Sequence, residues 1–297
     1  MSSPFRIWLT AVRPFAYSAS VVPVVLGTVL AFQEGSFDWL LFVLALVSSV
    51  LLHTGTNLVN DSFDFLRGVD TPASYGSSKM ITGGILTARQ VHRAGILCFC
   101  MATAIGLYLV VEIGITILIL GIIGILGGYF YTARPFQYKY HAMGDFFVFF
   151  LMGPLMVWGA YFVQTRLYRF YPLIFSLPVG FLVAAILVSN NIRDTRHDRG
   201  VGIQTLSTLL GFERAKWEYL VIGAFSVLPV LVFSGLGFPF LLAAFLALPT
   251  AHKALRRVLS VKEEKADELA AIDVVSAQLH LQVGGLMIAG LMVSSLL

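Results

Sequence analysis

The sequence predicts an all-α protein that crosses a membrane about nine times, with its helices around a central cavity and its N-terminus in the cytoplasm. Of its 297 residues, 58% are hydrophobic and only 12% are charged, whereas soluble domains carry about 25% charged residues. The mean hydropathy is +0.84, and the apolar residues fall in runs long enough for membrane helices. This composition excludes a soluble enzyme, a disordered chain and a nucleic-acid-binding protein.

The apolar runs give nine candidate spans, because one span needs about 20 mostly apolar residues. The first run follows Arg13-Pro14, and its length favours a retained helix over a cleaved signal peptide. The eighth run is the shortest. All are too continuous for the alternating strands of a membrane barrel. The predicted spans are 15–33, 38–60, 92–111, 113–131, 144–164, 171–191, 216–234, 237–251 and 275–297.

The basic residues support this count. With the N-terminus in the cytoplasm, 18 of the 20 Lys and Arg residues fall on the cytoplasmic side, and only Arg166 and Arg169 do not. That distribution follows the positive-inside rule and predicts a multi-pass protein of the inner or plasma membrane. The long loops 61–91, 192–215 and 252–274 then lie in the cytoplasm, so we expect the active site to face that side.

Two acidic motifs follow the second and sixth spans. Asn57, Asp61 and Asp64 are four and three residues apart, and Asn190, Asp194 and Asp198 are four and four apart. Each set therefore shares one helical face. The offset from Asn57 to Asn190 equals that from Asp61 to Asp194, at 133 residues. We interpret this as a single domain, 1–297, with pseudo-repeated halves of roughly 1–150 and 151–297.

The chemistry expected of two converging acidic faces is the binding of Mg²⁺. Asp61, Asp64, Asp194 and Asp198 offer hard oxygen ligands, and Mg²⁺ commonly bridges carboxylates to substrate phosphates. Basic side chains lie between the carboxylates and suit a phosphate group; they are Arg67, Lys79, Arg193 and Arg196. The predicted ligand is a diphosphate that carries an apolar chain, since only the helix bundle lies behind the motifs.

Four stretches resemble the UbiA superfamily of intramembrane prenyltransferases, and within it the MenA-type 1,4-dihydroxy-2-naphthoate prenyltransferases. The stretches are Asn60-Asp61-x-x-Asp64-Phe65-x-x-Gly68-x-Asp70-Thr71, Thr82-Gly83-Gly84 with Gln90-Val91, Tyr131-Thr132-x-x-Pro135 with Gly144-Asp145, and Asn190-Asn191-x-Arg193-Asp194-x-x-x-Asp198 with Gly202-x-x-Thr205-Leu206. The resemblance implies a polyprenyl diphosphate donor, Mg²⁺ and an aromatic acceptor, dihydroxynaphthoate. It also implies loss of CO₂ during transfer and a role in menaquinone biosynthesis.

The resemblance and the motifs together define the candidate site. The four aspartates are expected to be catalytic and to bind the metal. The substrate-binding candidates are Asn57, Asn60, Arg67, Asp70, Lys79, Arg134, Lys139, Asn190, Asn191 and Arg193. His53, one turn before Asn57, fits a packed core residue as well as a site residue. The partners expected are the two substrates and the lipid bilayer, and the sequence indicates no protein partner.

The sequence departs from its relatives at three points. The first motif is Asp61-x-x-Asp64 where many relatives have Asp-x-x-x-Asp. Ile203 stands where MenA-type chains usually carry Lys, so we expect Lys to be tolerated there. Lys139 lies eight residues after Tyr131, which departs from the Tyr-x-x-x-Lys of some relatives. The alternatives are another acceptor, 4-hydroxybenzoate or a lipid-ether precursor, and a cation-coupled transporter.

Overall fold

A computed structural model of the protein describes residues 3–72 and 74–296. Within these residues the chain forms α-helices with short 3₁₀ and π turns and contains no β-strand beyond one isolated bridge, His141 to Gln204. The prediction of an all-α fold is therefore confirmed. Every long helix is rich in apolar residues, which is the arrangement a bilayer demands because a helix satisfies its own backbone hydrogen bonds.

The first half of the chain contains seven α-helices. A 3₁₀ turn, Pro14–Tyr17, leads from α1 into α2, and a π turn, Leu151–Leu155, joins α6 to α7. The helices are α1 Pro4–Val12, α2 Ser18–Gln33, α3 Trp39–Leu66, α4 Ala88–Ile113, α5 Ile115–Phe130, α6 Gly144–Phe150 and α7 Met156–Thr165.

The second half contains six more. Two 3₁₀ segments, Pro239–Ala247 and Glu263–Leu269, precede α12 and α13 respectively. The helices are α8 Tyr171–Phe175, α9 Leu177–Gly200, α10 Leu206–Leu210, α11 Phe212–Gly235, α12 Leu248–Ser260 and α13 Ile272–Ser294.

Seven helical segments are long and apolar enough to cross a membrane: Pro14–Gln33, Trp39–Leu66, Ala88–Ile113, Gly144–Thr165, Leu177–Gly200, Phe212–Gly235 and Ile272–Ser294. They match seven of the predicted spans. The predicted fourth span is the apolar α5, which has 16 residues. The predicted eighth span is a 3₁₀ segment followed by α12, which carries polar and basic residues. A count of nine spans and a cytoplasmic N-terminus thus stay predictions.

Two helices extend beyond their predicted spans. Helix α3 continues past residue 60 to Leu66, and α9 continues past residue 191 to Gly200. These extra turns carry the aspartates. Asp61 and Asp64 find partners in neighbouring loops, and Asp194 pairs with Arg193 on its own helix.

The core lies between α2, α7, α11 and α13. Val22, Leu26, Tyr161, Phe233 and Met287 belong to one buried cluster there. By contrast, only 22% of the most apolar stretch of α4 is buried. The outer faces are therefore available to lipid, as expected for helices at the rim of a membrane bundle.

Close packing of α9 against the π turn depends on two glycines. A Cβ atom added to Gly153 would lie 2.6 Å from the Cα atom of Gly180. Small residues at such contacts allow helix backbones to approach closely in membranes. Pro154 lies inside the π turn, where its missing N–H costs less than in a regular helix.

Three loops meet at the end of the bundle where α3 and α9 terminate, which we call the polar end. Val69, Tyr140 and Ile203, one residue from each loop, form a buried cluster. The Ala142 N–H donates to the Gln204 carbonyl at 2.7 Å, and the His197 Nε2–H donates to the Val69 carbonyl at 2.7 Å. The loop cluster therefore ties both halves of the chain together beside the acidic motifs.

Candidate active site

Asp61, in the last two turns of α3, has partners from two distant segments. The Ser78 hydroxyl donates to its Oδ2 atom at 2.7 Å, and the Ser78 backbone N–H donates to the same atom at 3.3 Å. Arg13, just before the first span, forms an ion pair with its Oδ1 atom. The carboxylate is 2% exposed. A buried charge of this kind needs such pairing, because its desolvation is costly.

Asp64 is held by the loop between α5 and α6. The Lys139 ammonium lies 2.5 Å from its Oδ2 atom and 3.1 Å from the Asn60 side-chain oxygen. The Tyr140 hydroxyl donates to its Oδ1 atom. Burial disfavours the charged form of Lys139, but the Asp64 carboxylate outweighs it and the Lys139 pKa is raised. Lys139 is therefore a permanent cation beside the first motif.

Lys139 also meets Tyr131, although the two are eight residues apart. Its backbone N–H donates to the Tyr131 carbonyl at 3.0 Å, and its ammonium lies 5.8 Å from the centre of the Tyr131 ring. Tyr131 and Lys139 are therefore in contact, although they are farther apart in sequence than the Tyr-x-x-x-Lys of some relatives.

The second motif is dominated by Arg193. Its guanidinium donates to both Asp194 oxygens at 2.9 and 2.7 Å and lies 3.5 Å from Asp273 on α13. Arg193 is 4% exposed. This two-pronged pairing fits the planar fork of an arginine. Asp198, one turn beyond Asp194, is buried as well.

The loop between α3 and α4, which follows the first motif, contacts the second motif. A Cβ atom on Gly76 would lie 3.4 Å from Asp194 Oδ2, and the Tyr75 ring lies under the Arg193 guanidinium, 5.6 Å from its centre. In the same loop Asp70 is half-buried, and burial together with the Asp64 and Asp61 carboxylates raises its pKa to about 7. This loop therefore contacts both motifs at the polar end.

The remaining predicted residues divide into two groups. Asn57 and Asn190 line the cavity, and the Asn190 side-chain oxygen is buried without a hydrogen-bond partner among the described residues. Asn191 points elsewhere, because its amide donates to Asp145 on α6 at 3.0 Å. This hydrogen bond joins α9 to α6, and the predicted contact of Asn191 with substrate stays a prediction.

Three of the predicted cations lie at the solvent-exposed edge of the polar end, which we call the rim. Arg67 is exposed and stacks 4.6 Å from the centre of the Tyr140 ring. Lys79 is exposed, and its ammonium lies 3.4 Å from the Pro72 carbonyl. Arg134 is exposed and does not line the cavity. The structure therefore does not bring Lys79 or Arg134 into the carboxylate cluster.

A cavity of about 420 Å³ runs from the polar end into the bundle. Its polar end is lined by Arg13, Asn57, Gly76, Asn190 and Asp273. Its deeper walls come from α3, α4, α5 and α7 and are almost entirely apolar; they include Leu52, Ala102, Leu109, Ile117, Leu120 and Val163. A charged end and an apolar tunnel suit an amphiphile with an anionic head group.

The donor set fits Mg²⁺. Among the described residues, no three acidic, histidine or cysteine side chains lie close enough to hold a metal ion by themselves. Mg²⁺ does not need such a cage, since it is usually bound by one or two carboxylates together with substrate phosphates and waters. The oxygen-only donors of Asp61, Asp64, Asp194 and Asp198, with the unpaired Asn190 oxygen, meet that requirement.

Four contacts at this site were missed by the sequence reasoning: Arg13, Ser78, Tyr140 and Asp273. In the sequence Arg13 is distinguished only as one of the positive charges on the predicted cytoplasmic side. Tyr140 follows the predicted Lys139 directly, so a loop that delivers one side chain to Asp64 could have suggested the other. Nothing in the spacing of Ser78 or Asp273 singled them out.

The fold and the site define a multi-pass membrane protein whose cavity suits an amphiphile with an anionic head group. The sequence model of the UbiA prenyltransferase family matches residues 20–277. The chain belongs to this family and is a prenyltransferase.

Two relatives illustrate the match in sequence. The chain is 32% identical over 286 residues to the 1,4-dihydroxy-2-naphthoate octaprenyltransferase of Bacillus subtilis (strain 168), covering 95% of this chain and 91% of that protein. It is 35% identical over 233 residues to UbiA prenyltransferase domain-containing protein 1 of Homo sapiens, covering 76% of this chain and 67% of that protein.

Solved structures share the fold at low sequence identity. A UbiA homolog from Archaeoglobus fulgidus bound to GPP and Mg²⁺ superposes with a TM-score of 0.64 at 16% identity, covering 95% of this chain and 99% of that one. The apo structure of a UbiA homolog from Aeropyrum pernix K1 gives a TM-score of 0.67 at 14% identity, covering 92% and 97%.

Proposed function

We propose that the protein transfers a polyprenyl group from its diphosphate to 1,4-dihydroxy-2-naphthoate, with loss of CO₂, in menaquinone biosynthesis. The observation that carries the proposal is the cavity, whose apolar walls end at Asn57 and Asn190, one turn before the first aspartate of each acidic motif. The acceptor is supported by the 32% identity to the Bacillus subtilis octaprenyltransferase over nearly the whole chain, together with the four MenA-like sequence stretches.

The reaction depends on Mg²⁺, held by Asp61, Asp64, Asp194 and Asp198. The homolog bound to GPP and Mg²⁺ supports this choice of metal. When bound, the metal supplies Lewis-acid stabilisation of the negative charge that grows on the departing diphosphate. Lys139 and Arg193, each already in contact with a motif carboxylate, stabilise the same charge from fixed positions. Arg67 stands at the rim, where it contributes less.

The apolar walls of the cavity serve two functions in the reaction. They bind the polyprenyl chain, and they exclude water that would otherwise capture the allylic cation. The bond between the chain and the diphosphate oxygen breaks with its electron pair leaving on the oxygen. The carboxyl-bearing ring carbon forms the new C–C bond, and the bond to the carboxylate then breaks, so that CO₂ leaves and its electron pair returns to the ring.

The polar end faces the cytoplasm in this proposal, and the enzyme is a nine-span protein of the inner or plasma membrane. The distribution of Lys and Arg in the sequence supports that orientation. Membership of a prenyltransferase family replaces the alternative of a transporter. A different acceptor, 4-hydroxybenzoate or a lipid-ether precursor, enters as a competing outcome of the test.

The test is an assay with purified protein, Mg²⁺, a labelled polyprenyl diphosphate and a panel of three acceptors. We expect prenylation of the naphthoate with one CO₂ released per transfer, and loss of activity in EDTA that excess Mg²⁺ restores. Heat-treated protein is the control for uncatalysed transfer. Prenylation of 4-hydroxybenzoate with its carboxylate retained, and none of the naphthoate, would refute the proposed acceptor.

A further inference from the structure

His53 lies on the cavity wall one turn deeper than Asn57. The two residues are four apart on α3, and both line the cavity, so they share a face with a rise of about 6 Å between them. Asp61 lies one further turn towards the polar end. His53 therefore lies below the carboxylates, where the reacting carbon of a diphosphate-bound chain would be.

The His53 ring is held by contacts from α2 and the turn that precedes it. The Ser20 hydroxyl lies 2.8 Å from its Nδ1 atom, and the Tyr17 ring packs edge-on against it at 5.9 Å between centres. The Tyr17 hydroxyl in turn lies 2.8 Å from the Thr54 hydroxyl. Such supporting contacts fix the orientation of a histidine ring, and the Ser20 hydroxyl can accept a hydrogen bond from a protonated Nδ1.

The other ring nitrogen of His53, Nε2, belongs to a side chain that lines the cavity. Nε2 has no hydrogen-bond partner among the described residues, yet it is not one of the fully buried unpaired atoms. His280 provides a contrast, because both of its ring nitrogens are buried and unpaired. If Nδ1–H donates to Ser20, Nε2 carries a lone pair directed at the space where substrate binds.

A lone pair in this position suits only one of the two substrates. A diphosphate needs donors, which the arginines and lysine at the polar end supply, and a polyprenyl chain forms no hydrogen bonds. A phenolic acceptor carries hydroxyl donors and must lie beside the reacting carbon. Two threonine hydroxyls of the walls are already used within their own helices, since Thr56 donates to the Leu52 carbonyl and Thr103 to the Phe99 carbonyl.

We infer that His53 Nε2 accepts a hydrogen bond from a ring hydroxyl of the aromatic acceptor and so positions and selects it. The inference rests on the proposed transfer to a phenolic acceptor. Partial transfer of the hydroxyl proton to Nε2 raises electron density on the ring as the C–C bond forms. The proton returns to the oxygen when CO₂ leaves, so the step consumes no external acid, base or oxidant.

The test compares dihydroxynaphthoate with each of its two monomethyl ethers. Methylation of the contacted hydroxyl removes the donor, so the wild type should prefer the free hydroxyl. In His53→Phe this preference in kcat/KM should fall by about 5- to 140-fold, the range for one hydrogen bond whose partner is left unpaired. The KM for the donor diphosphate should change much less.

Two further variants separate a contact with substrate from a role in folding. His53→Gln keeps an oxygen acceptor on a side chain of similar length and should recover part of the preference. His252→Phe, the same substitution at an exposed position of α12 outside the cavity, is the matched control and should keep all of it. Thermal unfolding in detergent monitors the fold of every variant.

The outcomes distinguish this inference from the proposed acceptor. If the wild type prenylates the naphthoate but His53→Phe and His53→Gln keep the full preference for the hydroxyl, the inference is wrong and the proposed function stands. If the wild type prenylates only 4-hydroxybenzoate, the proposed acceptor is wrong. The same comparison is then made with 4-methoxybenzoate and decides the role of His53.

Discussion

Replacing Ile203 by Lys tests the structural role of the loop cluster. The sequence comparison led us to expect that Lys is tolerated here. In the structure Ile203 is 7% exposed and packs against Val69 and Tyr140, and its backbone N–H donates to the Asp198 carbonyl at 2.9 Å. Lys would have to leave this cluster to hydrate its ammonium, so we now expect Ile203→Lys to loosen the three loops.

The magnitude follows from burial of the side chain. Full burial of an isoleucine contributes about 1.5–3 kcal/mol, and a lysine that turns outward gives up most of it. Since the cluster joins loops rather than helices, the loss should appear as local opening. An opening equilibrium shifted by that free energy raises amide exchange about 10- to 150-fold. We expect that increase around Val69 and Tyr140.

Hydrogen–deuterium exchange with mass spectrometry measures the effect, together with the KM for the donor. Val201→Lys is the matched control, because Val201 lies two residues earlier in the same loop and is 39% exposed. It should leave exchange unchanged. Unaltered exchange in Ile203→Lys, combined with a lower donor KM, would refute this reasoning and restore the expectation from the sequence.

Three further predictions concern the carboxylate partners and the tunnel. Tyr140→Phe keeps the ring but removes the hydroxyl that donates to Asp64. A hydrogen bond to a charged group contributes about 1.5–3 kcal/mol, so kcat/KM should fall roughly 10- to 150-fold. A change below about twofold would contradict this prediction. Arg193→Ala leaves Asp194 and Asp273 unpaired, so it should lower stability by about 3–5 kcal/mol and weaken donor binding. Lys79 is exposed, so Lys79→Ala should change stability and donor binding only slightly. Thermal unfolding measures the stability of both variants, and the donor KM measures the binding. Gly121→Leu places a side chain in open space on the cavity wall and should shift the preference from long to short donors by at least about tenfold. Gly223→Leu is the control, because Gly223 has open space around it outside the cavity. Equal chain-length preference in the two variants would be inconsistent with a tunnel that binds the chain.

The helical fold and the acidic motifs were predictable because both follow from short-range periodicity. Runs of about 20 apolar residues specify membrane helices, and a spacing of three or four residues specifies a shared face. The number of spans was harder to predict. The fourth has 16 residues, and the eighth is broken into a 3₁₀ segment and a polar helix, so neither carries a complete signal in its own composition.

The partners of the aspartates were not predictable from spacing. Arg13 reaches Asp61 across 48 residues, and Tyr140 reaches Asp64 across 76. Ile203 illustrates the same difficulty, because its apolar neighbours come from two loops that are distant in sequence. Contacts of this kind depend on how the helices pack, which no local pattern encodes.

The pairing of the carboxylates explains how such a site remains stable before substrate arrives. Asp61, Asp64 and Asp194 each form an ion pair with an Arg or Lys, so these three charges are compensated within a poorly hydrated cavity, where an isolated charge would be very costly. Under the proposed function, Mg²⁺ and the diphosphate arrive with opposite charges. Asp61, Asp64 and Asp194 would hold the metal, and Arg13, Lys139 and Arg193 would face the phosphate oxygens. Binding would then exchange one set of ion pairs for another, which accounts for the placement of two arginines and a lysine directly on three of the carboxylates.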